Sequence, residues 1–195
     1  YPVPQSPVTF VSECMDGALR SVQKDKPVWA IPQAFDWSVW KTGSVDKIHR
    51  PTLAEERCMT YLALVHGAKG IIYWAHTASK YYIRDYPEHW AAVKQLAGEL
   101  RELSPVLLTP PSRLHVKASP GTATLDLMVK ELDGQTYVFA VNREPTSFQA
   151  RIALREVRPD AKVEALFEHR TLALRGNGWA DHFDPLEVHV YRLTR

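Results

Sequence analysis

The sequence predicts a chain in two parts, an α/β part over residues 1–108 and an all-β part over residues 109–195. In the first part, short apolar runs are each followed by a long loop and a helix pattern, which is the order of a βα repeat. In the second part, apolar and polar residues alternate with a period of two, and turn residues recur at short intervals. A proline-rich linker, residues 109–112, separates the two patterns. The all-β part is therefore expected to form an antiparallel β-sandwich.

Two apolar runs in the α/β part are strand candidates. Residues 28–31 and 71–74 contain no polar alternation, which is typical of strands that are buried on both faces of a parallel sheet. Trp29 lies inside the first run and is expected in the core.

Three helices are predicted around these strands. The spacing of apolar residues over 8–22 indicates the first helix. Thr52 followed by Glu55 is a capping-box pattern and predicts the start of the second helix, where Glu56 is expected to face solvent. The third helix is predicted to begin near Pro87, a residue type favoured in a first helical turn.

The all-β part begins with a clear hairpin signal. Asp133-Gly134 is a two-residue turn pattern between the alternating residues 125–129 and 137–141. Four further strands are predicted over 148–154, 163–167, 171–174 and 187–193.

Composition excludes several classes of function. The 24 basic and 22 acidic residues leave a formal charge of +2 without a basic stretch or acidic tail, which argues against binding of nucleic acid or an anionic membrane. No apolar run reaches the roughly 18 residues of a membrane span. Cys14 and Cys58 form no metal-ligand pattern, and two buried, reduced thiols are favoured over one disulfide. No motif for a metal or other cofactor is present, and none is predicted.

The loops that follow the two strand candidates hold the candidate site. Both loops are long, and they combine aromatic rings with a carboxylate, an amide and a guanidinium, a mixture that suits sugars. Asp36 is the candidate catalytic residue, and the candidate substrate-binding residues are Gln33, Trp37, Trp40, His49, Arg50, Tyr73, Trp74 and His76. For Trp37 and Trp40, a ligand platform and a loop anchor are equally favoured. His49 is more often a surface or packing residue than a catalyst.

Three segments carry a resemblance to a known family. Residues 26–35, Arg50-Pro51-Thr52 and residues 66–74 resemble the last third of TIM-barrel glycoside hydrolases, in a clan A-like group whose barrel is followed by a C-terminal β-sandwich. The resemblance implies that residues 28–31 and 71–74 are the seventh and eighth barrel strands. The chain would then hold the last two to three βα units of a partial (β/α) barrel, because a complete barrel needs roughly 250 residues.

The resemblance also implies a reaction, with one departure. Members of that clan hydrolyse glycosidic bonds with two carboxylates, one after the fourth strand and one at the end of the seventh. The fourth strand lies outside this sequence, and the position nearest the end of the seventh holds Gln33, an amide. The isolated chain is therefore expected to hydrolyse glycosides weakly or not at all.

Three functional interpretations remain open from the sequence. The first is a glycoside hydrolase-like fragment, the second is a non-catalytic carbohydrate-binding or structural module, and the third is a truncated product with no independent role. The expected partners are an oligo- or polysaccharide and further copies of the chain, which would cover the open barrel edges. The sequence leaves the compartment undecided between a secreted or periplasmic location, with the leader missing, and a cytoplasmic one.

Overall fold

The computed structural model describes residues 1–4, 6–22, 26–37, 49–78, 80–119, 121 and 125–194. The chain divides into two compact units, Tyr1–Gly98 and Glu99–Arg195, and helix α3 (Pro87–Leu107) crosses the division. The boundary predicted between residues 108 and 109 lies just after this helix and stays a prediction. The molecule is mixed α/β, with several antiparallel sheets and few helices among the described residues.

The first unit is built around one β-α-β crossover. Its elements before α3 are α1 (Phe10–Ser21), β1 (Trp29–Ala30), α2 (Leu53–Val65), β2 (Gly70–Ile71), β3 (Thr77–Ala78), β4 (Tyr81–Tyr82) and a 3-10 turn (Ile83–Asp85). Strands β1 and β2 pair in parallel, and β3 and β4 form a small antiparallel ribbon. Because α2 connects the two parallel strands, the predicted βα order is confirmed here.

The capping pattern of α2 is confirmed. The Glu55 amide donates to the Thr52 side chain at 3.2 Å, and the Thr52 amide donates to the Glu55 carboxylate at 2.8 Å. The prediction for Glu56 is wrong, because its side chain is completely buried. It lies on the helix face of Met59 and Thr60, three and four positions on, and that face is turned to the core.

The prediction that Trp29 is a core residue is also wrong. Trp29 is 58% exposed, and Ile31 and Ile72 on the same short sheet are exposed as well. The described residues cover one face of this sheet, where Ala30 packs in a cluster with Met15 of α1 and Ala63 of α2. The Trp29 ring instead lies over Gly70, where an added Cβ would come within 2.7 Å of the indole.

The second unit consists of two antiparallel sheets. One has five strands in the order β10-β9-β12-β7-β6 and the other has three in the order β11-β8-β5. The strands are β5 (Val116–Ser119), β6 (Leu125–Leu132), β7 (Gln135–Asn142), β8 (Phe148–Leu154), β9 (Lys162–Ala165), β10 (Arg170–Leu172), β11 (Gly178–Phe183) and β12 (Val188–Thr194). Buried side chains from both sheets, among them Val138, Ile152 and Trp179, form one hydrophobic cluster.

The hairpin of β6 and β7 matches its prediction. Asp133 and Gly134 both have positive φ, 51° and 74°, and they connect the paired residues Leu132 and Gln135. Positive φ at both turn positions gives the twist that two-residue hairpins require.

Two further observations concern the expectations about membrane spans and cysteines. In the described part of the chain, no helix has the length and apolarity that crossing a membrane requires. Cys14 and Cys58 are both free thiols, as predicted. Cys58 is buried as expected, but the prediction of burial is wrong for Cys14, which is exposed on α1.

Candidate functional site

The candidate site lies where β1 and β2 end. The parallel pairing continues beyond the strands, since Gln33 and Trp74 form a bridge and the Trp74 amide donates to the Pro32 carbonyl at 3.1 Å. Parallel strands bring the residues that follow their carboxyl ends to one edge of the sheet. The two predicted site loops therefore start side by side.

Gln33 fixes the backbone at this edge. Its side chain is fully buried, and its amide nitrogen donates to the carbonyls of Val3 at 2.8 Å and Phe35 at 2.9 Å. Its amide oxygen accepts from the Val3 N–H at 3.0 Å. These bonds fasten the first residues of the chain to the end of β1. The substrate contact predicted for Gln33 stays a prediction, and it would require these bonds to be exchanged.

Asp36 and Arg50, predicted as catalytic and substrate-binding residues, lie together. An Arg50 guanidinium nitrogen is 2.6 Å from a carboxylate oxygen of Asp36, whose side chain is 7% exposed. The Arg50 guanidinium also lies 3.8 Å above the centre of the Tyr86 ring. The ring and the ion pair hold both polar groups in fixed orientations.

Trp37 packs in an aromatic cluster. Its ring contacts Phe35 with centroids 5.3 Å apart, and Tyr1 meets the same Phe35 ring at 5.0 Å, both edge to face. Trp37 is half-buried in this position, which fits a loop anchor better than a ligand platform. Trp40, predicted with the same two alternatives, lies outside the described residues.

Among the described residues, Trp74 presents the most accessible aromatic surface at this edge. It is 46% exposed, whereas the preceding Tyr73 is half-buried and its hydroxyl lies 2.9 Å from the Thr60 hydroxyl. His76 is exposed and contacts the rings of Tyr82 and Trp90 at 5.1 and 5.8 Å. An exposed indole at a strand end is the kind of surface on which a sugar ring can stack.

His49 lies beside the start of α2. Its Nε2 atom is 3.2 Å from the Glu55 carboxylate, the same group that caps the helix. The structure therefore places His49 in an exposed ion pair and not against Asp36.

A buried polar network beneath the site was missed by the sequence reasoning. The Glu56 carboxylate lies 2.5 Å from His89 Nε2, and His89 Nδ1 lies 3.1 Å from the Tyr81 hydroxyl. That hydroxyl donates its hydrogen to the Ala34 carbonyl at 2.9 Å. His89 Nδ1 must therefore carry a hydrogen and donate to Tyr81, and Nε2 shares one proton with Glu56.

Burial controls the acidity of this network. It raises the pKa of Glu56 above its usual range, although the hydrogen bond and charge of His89 oppose the shift. Burial likewise raises the pKa of Tyr81, so its hydroxyl stays protonated and available as a donor. The Tyr81 ring stacks on the Tyr86 ring with centroids 5.3 Å apart, and the Arg50 guanidinium lies over that Tyr86 ring. The network thus supports the Asp36–Arg50 pair from below.

The structure offers no arrangement for a metal ion within its described residues. No group of three or more His, Cys, Asp or Glu side chains there is placed to bind one.

Comparison with solved structures shows which fold this is. The chain is similar to a protein of Bacteroides fragilis assigned as an α-galactosidase/melibiase, with a TM-score of 0.59 and 14% identity over 96% of this chain and 38% of that one. The chain has a glycoside hydrolase-like fold. An α-amylase from Geobacillus thermoleovorans, complexed with acarbose, matches with a TM-score of 0.55 and 13% identity over 75% of this chain and 34% of the other.

A second B. fragilis protein, assigned as an α-galactosidase, matches with a TM-score of 0.51 and 16% identity over 75% of this chain and 30% of its own length. This chain thus spans about a third of the length of the glycosidases it resembles. No family model matches the chain, and no curated protein matches its sequence. Identities this low establish the fold and leave the substrate open.

Proposed function

We propose that the chain is the carbohydrate-binding C-terminal part of a glycoside hydrolase-like protein. In this proposal β1 and β2 are the last strands of a partial (β/α) barrel, and the two sheets of the second unit form a β-sandwich. The parallel β-α-β crossover supports the first assignment, and the hydrophobic cluster shared by the two antiparallel sheets supports the second.

The observation that carries the proposal is an exposed indole at the sheet edge from which the chain leads, within three residues, to an oriented ion pair. Trp74 bridges to Gln33 at the ends of the strands, and Asp36 follows Gln33 by three residues. Sugars present an apolar face that stacks on an aromatic ring and hydroxyls that need charged or polar partners. In this proposal Trp74 supplies the ring, and Asp36 with Arg50 supplies the acceptor and the donors.

The same geometry supports binding over hydrolysis by this chain alone. Hydrolysis of a glycosidic bond uses two carboxylates on either side of the bond, one as acid and one as nucleophile or base. At this edge Asp36 is paired with Arg50, the neighbouring Gln33 is an amide, and Glu56 is buried against His89. We therefore expect the isolated chain to act as a binding module, with the cleavage chemistry supplied elsewhere.

Affinity electrophoresis through gels that contain neutral polysaccharides tests the proposal. One or more of the polymers should slow the wild-type chain, and Trp74→Ala should weaken the retardation about tenfold, because one stacked ring contributes on the order of 1 kcal/mol or more. Trp29→Ala is the matched control, since it removes another exposed indole from the opposite end of the same strands. Circular dichroism confirms that both variants are folded.

Two results would count against the proposal. Equal loss in Trp29→Ala and Trp74→Ala would mean that retardation reflects general apolar adhesion. Rapid turnover of aryl glycosides by the isolated chain, abolished in Asp36→Asn, would show an enzyme where we expect a binding module.

A further inference from the structure

The cations of the second unit are not spread evenly over its surface. Within the strands of the five-stranded sheet, both arginines are neutralised: Arg170 binds Asp181 at 2.7 Å, and Arg192 binds Glu164 at 2.6 Å. The three-stranded sheet β11-β8-β5 differs. Lys117 of β5, Arg151 of β8 and Arg155, directly after β8, are exposed, and the outward positions within the three strands hold no acidic residue. Asp184 directly follows β11 at the other end of β8 and is paired with His182 at 3.1 Å.

Alternation along the strands sets this distribution. In β8, Ala150, Ile152 and Leu154 are buried in the hydrophobic cluster, so Arg151 and Arg155 face outward. Lys117 of β5 faces outward in the same way and pairs with Ala153. The acidic residue of β11, Asp181, is buried on the other side.

The charges on this face are left without acidic partners in the part of the chain that the structure describes. Lys117, Arg155 and the nearby Arg175 are exposed and make no ion pair there. Arg151 is held by neutral oxygens, since its guanidinium donates to the Arg175 carbonyl at 2.9 Å and to the Asn177 side chain at 3.2 Å. These bonds orient Arg151 without cancelling its charge.

A pocket lies among these cations. His115, Lys117, Ala153, Arg155 and Asn177 line a pocket of about 350 Å³. Beside it, Gly178 lies so close to β8 that an added Cβ would be 2.2 Å from the Ile152 carbonyl oxygen and 2.8 Å from the Arg151 guanidinium. The missing side chain leaves room for the Arg151 guanidinium.

We propose that this basic face, formed by Lys117, Arg151, Arg155, Arg175 and His115, binds an anionic polysaccharide through its carboxylate or sulfate groups. Unneutralised cations around this pocket complement a chain that carries regularly spaced anions. The choice of a polysaccharide as the polyanion rests on the proposed function, whereas the anionic character rests on the basic face alone. The basic face belongs to the second unit, whereas the Trp74 edge, which is proposed to take neutral sugar, belongs to the first.

Binding of two anionic glycans by the full chain tests this proposal. Immobilised heparin supplies sulfates and polygalacturonate supplies carboxylates, and the wild type should bind at least one of them at about 0.15 M salt. Binding to heparin alone would assign sulfate recognition, and binding to polygalacturonate alone would assign carboxylate recognition. The variant Lys117→Ala/Arg155→Ala should bind about tenfold more weakly and with a flatter salt dependence, because two charge-assisted contacts are lost.

The matched control is Arg158→Ala/Lys162→Ala, which removes two other exposed cations of the second unit. It should change the affinity by less than about twofold, since exposed charges away from the site act only through screened attraction. Equal weakening by both double variants, no binding of either polymer, or tighter binding of a single-stranded oligonucleotide than of either glycan would overturn the proposal.

The two proposals fail separately. Lys117→Ala/Arg155→Ala should leave retardation by neutral polysaccharides unchanged, and Trp74→Ala should leave binding of the anionic glycans unchanged. Loss of neutral binding in Lys117→Ala/Arg155→Ala would contradict the assignment of two distinct surfaces.

Discussion

The carboxylate of Glu56 lies inside the first unit, where an ionised group is stable only with close partners. Its bond of 2.5 Å to His89 Nε2 supplies one partner, and no other described group bonds its second oxygen. The network from Glu56 through His89 to Tyr81 connects helices α2 and α3 with the chain at Ala34. Glu56 therefore has a structural role beneath the candidate site, where it connects the elements of the first unit by hydrogen bonds.

Removal of this carboxylate should destabilise the protein. We expect Glu56→Ala to lower the free energy of unfolding by about 3 kcal/mol, because it leaves buried His89 without its partner and opens a cavity. Glu56→Gln should cost less, since an amide of the same size can still bond the imidazole. Urea denaturation measures both, and Glu102→Ala, which removes an exposed carboxylate, should stay within about 0.5 kcal/mol of wild type. A decrease in the free energy of unfolding of less than about 0.5 kcal/mol in Glu56→Ala would contradict this structural role.

His189 gives the second unit a pH dependence. Burial lowers the pKa of this imidazole, but hydrogen bonds to Glu168 and Glu187 outweigh burial and raise the pKa to about 9. Because the folded pKa lies above the unfolded value, the stabilisation is fully present below about pH 6.5 and is lost as the pH rises through about 9. We expect the free energy of unfolding to fall by about 3 kcal/mol over this window.

Denaturant unfolding at pH 6.5 and about pH 9.5 checks this expectation. His189→Gln should flatten the difference between the two pH values, whereas His115→Gln, which changes an exposed histidine of the same unit, should leave it as in the wild type. An unchanged pH dependence in His189→Gln would contradict the assignment.

At the residue scale, the sequence predicted which side chains lie together better than it predicted their burial. It brought Asp36 and Arg50 into one candidate site, and they form an ion pair. It failed for Glu56 because a helix start usually faces solvent, although the three-to-four-residue spacing to Met59 and Thr60 marks a buried face. It failed for Trp29 because an apolar run does not reveal whether one or both faces of a strand are covered.

At the element scale, the cap of α2 can be compared with the start of α1. Thr52 bonds the first turn of α2, whereas Thr9 occupies the same position before α1 and makes no side-chain bond to its helix. Thr52→Ala should therefore lower the free energy of unfolding by about 1 kcal/mol, and Thr9→Ala should have little effect. Thermal unfolding of the two variants measures the difference, and equal shifts in the two midpoints would show that the capping box contributes nothing.

The elements that were predicted correctly carry strong local signals. The Thr52 cap and the Asp133-Gly134 turn each depend on a few adjacent residues, and both have the expected geometry. Strands β5 and β11 were missed, because lysine, glycine, aspartate and histidine interrupt their apolar pattern. Both strands are stabilised by hydrogen bonds to β8, which is distant from them in the sequence. Such long-range pairing cannot be recognised from the local pattern of apolar residues.

For the whole molecule, the exposed apolar surface of the first unit has consequences for assembly. Trp29, Ile31 and Ile72 are 58%, 49% and 45% exposed on the two-stranded parallel sheet, to which the described residues add no third strand. Open strand edges and clustered apolar side chains favour association. We expect a homo-oligomer, with a mass in light scattering that rises with protein concentration and falls in Trp29→Glu. A monomer mass at every concentration would contradict this expectation.

The central claim is that sugar binds at the Trp74 edge of a glycoside hydrolase-like fold. The most direct measurement is an NMR titration of the tryptophan indole N–H resonances with the neutral glycan that retards the chain most strongly. We predict that the Trp74 resonance shifts with added glycan, while that of Trp179, buried in the second unit, stays in place. A titration that leaves the Trp74 resonance unmoved, or that moves only that of Trp29, would contradict the claim.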